Sequence, residues 1–461
     1  MSKLCSLKEI TPGSVIKLPR AYGLNALGVM AGMEYSADQK MILPAIFNVS
    51  GEEVIPTSLP DQVNTTEFEL VEDKKLQTLV ADAFLAAEFP LPSKSMSSGC
   101  DPEIFVEHGD GSIFPAWEFL PDEETSRLQA KRWLLERHPR GESEVEGASW
   151  GVVDSNNSPL KVPIYWDGAQ AEFAPWAKNC LETLHDGTRI GLKTILAFAQ
   201  KKDPQAKLTI KNTIELPDSV LKNADDKHIQ FRCSRSYNIY DDPGDGIPDA
   251  RQYKYRCAGG HIHLGFTRGF TAPAIEQIVR ALDGVLGVVG VSLAAEIDNP
   301  ERRRTYGRAG EFRLPSHGIE YRVLSNFWLC HPAITMLVFD LARATVRFAE
   351  SGLYNLCWLA DEKEVRDIIN SCDVQGARKL IKKNLAPLTR IVKSMWGINS
   401  PSAIDAGAKK ALLAFENGLE SVIPYPHDIA GNWQFDKNWL SHCRNIDASW
   451  LRLTSIRLTS G

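Results

Sequence analysis

Nothing in this sequence reads as a Walker loop, and no Gly-x-Gly-x-x-Gly run follows a strand and opens a helix. A P-loop or Rossmann nucleotide site is therefore not expected. Paired-cysteine signatures are missing too. The nine cysteines form no Cys-x-x-Cys pair and are odd in number, and several fall in apolar or strand-like runs. Reduced thiols in a reducing compartment suit that pattern better than a disulfide framework. Long apolar runs are also scarce. The longest, "VLGVVGVSLAA" at 285–295, is short for a bilayer span, and the N-terminal "MSKLCSLKEITPGSVIKL" lacks the apolar centre of a signal peptide. Nor is charge of one sign abundant: a net −6 over 461 residues gives no broad nucleic-acid footprint. These absences lead to the expectation of a cytoplasmic protein with no nucleic-acid or membrane partner.

What is present reads as a globular chain of two or three domains, 43% apolar and 24% charged. Residues 1–90 carry short β-like runs ("SVIKL", "KMILPAIF", "EFELV") and then a helical stretch at 74–89. They suggest a small β-rich domain, and "PLPSKSMSSG" behind them suggests a linker. The strand candidates "DPEIFVEH" and "SIFPAWEF" flank the turn signal "GDG". Further strands are expected in "KVPIYWDGAQAEFAP", "KLTIKNTIEL", "AGGHIHLGF" and "GIEYRVLS", and helices over 180–202 and about 272–296. From 336 to the end the chain is mainly helical, with Asp361 opening "DEKEVRDIIN" as a capping residue.

Four of these strands carry chemistry. Neighbours at i and i+2 point to one face, so Asp101 with Glu103, Gln170 with Glu172, His261 with His263, and Glu320 with Arg322 each present a polar pair. Taken singly, the acidic pairs usually mark a solvated face, a His-x-His is more often structural or incidental, and a Glu-x-Arg is most often a surface ion pair. Their coexistence within some 220 residues of chain points instead to a shared cleft. Carboxylates there need neutralising charge, and oxygen-rich ligation with open positions favours Mg²⁺ or Mn²⁺. The second clue is a run of arginines (302, 303, 304, 308 and 313) with Gly307 and Gly310 to turn the backbone. Guanidinium forks match phosphate oxygens two at a time. Metal ions plus arginines describe a polyphosphate site.

The segments "GCDPEIFV", "WDGAQAEFAP", "RCAGGHIHLGF" and "RRRTYGRAGEFRLPSHGIEYRVLSNFWLCHP" together resemble the phage-borne COOH-NH2 ligases of type 2. These are amidoligases of the glutamine synthetase and glutamate–cysteine ligase fold. The resemblance covers about 95–335 and implies an α+β fold, a curved antiparallel sheet of glutamine synthetase-like type with packed helices. Residues 95–335 would be the catalytic domain, 1–90 the small β-rich domain and 336–461 a mainly helical part packed on it.

The resemblance further implies ATP and Mg²⁺ (or Mn²⁺) as cofactors, and small-molecule or peptide carboxylates and amines as substrates. Matched by motif, Asp101, Glu103, Glu172, His261 and Glu320 would be metal ligands. His263 would lie near the transferred phosphate, and Arg322 would face the phosphate or the substrate carboxylate. Arg303, Arg304, Arg308 and Arg313 would meet the ATP phosphates, with Arg308, Arg322 and His263 taking part in catalysis. Arg256 is a candidate clamp for the substrate carboxylate. Glutamine synthetases carry a second glutamate where Ile164 stands here, so either Asp167 takes over or one metal site is altered. Two other readings stay open: a guanidino-type phosphotransferase, and a degenerate scaffold acting as a phage binding or virion component. The fold occurs both as monomers and as rings, so either state is compatible.

Overall fold

In a computed structural model the described residues are 3–6, 10, 13–18, 27–35, 42–50, 53–57, 67–86, 96–127, 162–175, 181–231, 236–242, 246, 248–266, 272–395 and 401–435. Among the described residues the structure is mixed α+β, every strand pairing is antiparallel, and no sheet closes into a barrel.

The N-terminal β-like runs become six strands: β1 (Lys3–Ser6), β2 (Val15–Lys17), β3 (Leu27–Tyr35), β4 (Ile42–Ser50), β5 (Glu53–Thr57) and β6 (Glu67–Leu70). They lie in the order β1-β6-β2-β3-β4-β5. A helix over Lys74–Ala86 follows. Val15, Val29 and Val80 join one continuous apolar core with Phe348, Leu353 and Leu388 from the C-terminal helices. The N-terminal strands and the helices after 332 therefore share an interior.

The central part adds eleven strands. They are β7 (Met96–Cys100), β8 (Glu103–Glu107), β9 (Ile164–Asp167), β10 (Gln170–Phe173), β11 (Lys207–Thr209), β12 (Thr213–Glu215), β13 (Tyr237–Asn238), β14 (Tyr255–Cys257), β15 (Ile262–Phe266), β16 (Glu311–Arg313) and β17 (Gly318–Tyr321). A five-stranded sheet runs β13-β16-β17-β15-β7, a four-stranded sheet runs β11-β8-β10-β9, and β12 pairs with β14. Only Asp101 and Pro102 separate β7 from β8, so the chain steps from the first sheet to the second within two residues.

Two local expectations differ from what forms. "MSSG", the end of the expected linker, read so because Ser and Gly dominate it, yet with Cys100 it is β7, paired residue for residue with β15. Its small side chains suit the close approach there: a Cβ on Gly265 would meet Ser97 Oγ at 2.1 Å. "SIFPAWEF" makes only one bridge, Glu107 to Ile113, and then turns into a 3-10 helix over Ala116–Glu118. Pro115 is the reason, since it lacks the N–H a ladder needs.

Helices cover the core side of the five-stranded sheet. The apolar run at 285–295 belongs to a longer helical stretch, Ala272–Ile297, long and apolar enough by composition to cross a membrane, but 89% of that window is buried within the fold. The thiols of Cys100, Cys257, Cys330 and Cys357 are buried and unpaired. Asp361 caps its helix as read from sequence, accepting from Lys363 N at 2.7 Å. The final tryptophan-rich residues, from 436 on, lie outside the described residues.

His331 caps the helix Pro332–Glu350, its Nδ1 accepting from Ala333 N at 3.0 Å. Burial, with His185 nearby, pushes this imidazole down to about 4, so it is a neutral acceptor in the fold. A histidine depressed in the folded state lets the unfolded chain bind a proton first. Stability should therefore be complete above about pH 6.5 and fall between about 6.5 and 4, by about 3 kcal/mol at about 1.4 kcal/mol per unit. His331→Asn keeps a capping acceptor but cannot titrate. Urea unfolding across that range should show the variant losing less stability than wild type.

Candidate metal and phosphate site

Strand alternation sorts the two faces of the five-stranded sheet. On one face Cys100, Ile262, Tyr321 and Phe312 are paired across neighbouring strands and buried in the core. On the other, Gly99, His263, Glu320 and Arg313 stand opposite one another. The i, i+2 partners His261, Arg322 and Asp101 extend this polar face. In the second sheet Glu172 is directly opposite both Glu103 and Tyr165. The β9–β10 hairpin turns at Gly168, whose φ of +66° suits glycine, and sets Asp167 against Gln170.

Two sets of donors result. Asp101, His263 and Glu320 offer ligand atoms within 4.8 Å of one another, and so do Glu103, Asp167 and Glu172. The Asp101–Glu103 step joins them. Asp101 Oδ1 lies 3.3 Å from His261 Nδ1 and 3.1 Å from His263 Nε2. Glu320 Oε1 lies 3.8 Å from His261 Nδ1, 3.3 Å from Arg313 Nη1 and 3.1 Å from Arg322 Nε. Arg322 also donates to Ser236 Oγ at 2.6 Å.

The charge balance differs between the two sets. Burial would raise Asp101, but His263 and then His261 outweigh it and hold its carboxyl well below the usual range. Glu172 goes the other way: burial first, then repulsion from Asp101, Asp167 and Glu103, push it well up. Its own hydrogen bond from Tyr165 Oη, at 2.7 Å, does not offset this. Such a set is short of positive charge.

The donor chemistry fits divalent cations. Asp101 Oδ1, His261 Nε2 and His263 Nε2 are buried atoms with no hydrogen bond of acceptable geometry, and carboxylates crowded around Glu172 would be relieved by a cation.

Several expected assignments shift. Ile164 pairs with Phe173 on the apolar face, so no ligand could reach the cleft from its position; Asp167 supplies the third carboxylate instead. The three-donor set closes on His263 rather than His261, although both rings touch Asp101. Arg256 is 2% exposed and donates to the carbonyls of Tyr253, Tyr255, Ile229 and Ala250. With four of its five N–H groups used by main chain, it tethers the surrounding loops, and only Nε–H remains for any other acceptor.

The arginine run divides similarly. Arg302 donates to the carbonyls of Arg322, Val323 and Leu324. Arg303 pairs with Asp298 at 2.8 Å and donates to the Gly307 and Val323 carbonyls. Arg308 pairs with Asp242 at 2.9 Å, and Arg304 with Glu301 at 3.2 Å. Arg303, Arg304 and Arg308 line a cavity of 320 Å³ with Asn299, Pro300, Glu301 and Asn370. Only Arg313 and Arg322 of the expected arginines contact a carboxylate of the two donor sets among the described residues.

The sequence reading missed two tyrosines. Tyr165 was visible in principle, since "IYWD" puts it two residues before Asp167 on one strand face. Tyr306 gave no periodic signal, being in the turn between Arg302–Thr305 and β16.

No curated protein matches the chain. Asp101, Glu103, Asp167 and Glu172 precede the segment that a family model matches, while His261, His263, Arg313, Glu320 and Arg322 fall inside it. That model describes the phage phiEco32-like COOH.NH2 ligase-type 2 family, and residues 248–387, just under a third of the chain, are similar to it.

Proposed function

We propose that the protein is an ATP- and Mg²⁺-dependent carboxylate–amine ligase of glutamine synthetase-like fold that forms an amide through an acyl phosphate. The observation that carries this reading is the pair of adjoining three-donor sets, Asp101–His263–Glu320 and Glu103–Asp167–Glu172, with Arg313 and Arg322 beside them. Bound divalent cations would bridge phosphate oxygens and draw off their charge.

Arg313, about one-quarter exposed and 3.3 Å from Glu320, would meet the phosphoryl group in transfer, and Arg322, 3.1 Å from Glu320, would hold that carboxylate in place. We assign the nucleotide to the arginine-lined cavity at Arg304 and Arg308, which adjoins β16 through Gly307, whose N–H Glu311 accepts at 2.8 Å. The γ-phosphoryl group passes from ATP to a carboxylate oxygen, releasing ADP. The amine then attacks the acyl carbon, phosphate departs, and an amide and one proton are formed. Positioning and charge neutralisation do most of this work. The carboxylate and amine are proposed to come from amino acids, peptides or cell-wall fragments.

With Mg²⁺ and a pool of such compounds, the purified protein should release ADP and phosphate one for one with amide. ATP hydrolysis that no carboxylate and amine stimulate would refute the reading. A stable phosphorylated product without amide would replace it with the phosphotransferase alternative.

A further inference from the structure

We infer that Tyr165 and Tyr306 are the positioning residues of the Glu103–Asp167–Glu172 set, each phenol fixing which oxygen of one glutamate faces the ion. This rests on the proposed metal site and adds residues that no motif comparison assigns.

The geometry is specific at both glutamates. Glu103 Oε2 accepts from Gly259 N at 2.6 Å and from Tyr306 Oη at 2.6 Å. Both lone pairs of Oε2 are thereby used, and Oε1 is left for coordination. Glu172 Oε1 accepts from Tyr165 Oη at 2.7 Å, which leaves Oε2. Glu103 is 2% exposed, so water cannot readily stand in for a lost donor. Each tyrosine is itself held. Tyr165 is opposite Glu172 on the paired strand, with the Arg127 guanidinium 5.7 Å from its ring centroid. Tyr306 is 7% exposed, lies edge-on to His261, and carries the Arg302 guanidinium 4.8 Å from its ring centroid.

Donors of this kind orient ligand carboxylates, and their loss typically weakens metal binding about 10–100-fold. Phenylalanine deletes the hydroxyl and keeps the ring, so Tyr165→Phe and Tyr306→Phe remove the hydrogen bond while preserving packing. Mn²⁺ affinity, measured by calorimetry and by the Mn²⁺ electron paramagnetic resonance signal without nucleotide, should fall about 10–100-fold in each variant. Thermal unfolding in metal-free buffer reports whether the fold is retained.

Unchanged Mn²⁺ affinity in both variants, with wild type binding normally, would overturn the inference and leave the metal site standing. Affinity lost only in step with a lowered unfolding temperature would likewise overturn it, as the tyrosines would then serve packing alone. Wild type that binds no Mn²⁺, and whose Asp167→Asn variant behaves identically, would overturn the underlying site instead.

Discussion

Glu320→Gln is expected to reduce metal-dependent ATP turnover by more than about 100-fold, beyond the range seen for residues that merely orient ligands. Glu320 is the meeting point of the polar face. Its Oε1 lies within 4.0 Å of Arg322, Arg313 and His261, and it shares a three-donor set with Asp101 and His263. The amide keeps the shape and one acceptor, so the backbone has no reason to move. It cannot supply charge to a cation, nor to Arg322, whose side chain is 1% exposed. Breaking a buried ion pair by removing one partner's charge costs about 3–5 kcal/mol, which urea unfolding should detect as a lower midpoint at constant slope. Arg313→Ala separates the effects. With a quarter of its side chain in solvent, Arg313 should be removable with little loss of stability but a clear loss of turnover. Full activity in Glu320→Gln would remove Glu320 from the site.

The polar face was legible because its signal is the strongest one a strand gives. A period of two places His261 with His263 and Glu320 with Arg322 whatever the strand pairs with, and the pairing of β15 with β17 then set His263 opposite Glu320. Asp101 and Glu103 read as one strand pair, but the chain passes from one sheet to the other between β7 and β8, so Asp101 joins His263 and Glu320 while Glu103 joins Asp167 and Glu172. Arginine roles were not legible. A guanidinium that binds main-chain carbonyls, as Arg256 and Arg302 do, has the same letter as one that faces phosphate. Its distinction depends on loops brought together from distant positions, such as Ile229 and Ala250 around Arg256. Ile164, read as a departure from the glutamine synthetase pattern, pairs with Phe173 on the apolar side, and Asp167 stands with Glu103 and Glu172.

The same division of labour gives a stability effect. Arg302 is 0% exposed, and three consecutive carbonyls accept from it. Nη1 donates to Val323 O at 2.9 Å, and Nη2 donates to Arg322 O at 3.1 Å and Leu324 O at 2.8 Å. These residues follow β17 directly, so the guanidinium ties down the strand that carries Glu320 and Arg322. Arg302→Leu fills much of the volume but donates nothing. Val323 O also accepts from Arg303, and Leu324 O from Gly260 N at 3.0 Å, so the loss falls mainly on Arg322 O, and one buried carbonyl deprived of its donor costs about 1–3 kcal/mol. The variant should unfold at lower urea. Arg304→Leu is the matched control two residues on: its side chain is 59% exposed and pairs with Glu301 at 3.2 Å, a kind of contact worth about 0–1 kcal/mol. Its midpoint should stay near wild type. Equal midpoints for Arg302→Leu and Arg304→Leu would mean that residues 322–324 are held by something other than this guanidinium, and the separation of structural from phosphate-facing arginines would fail with it.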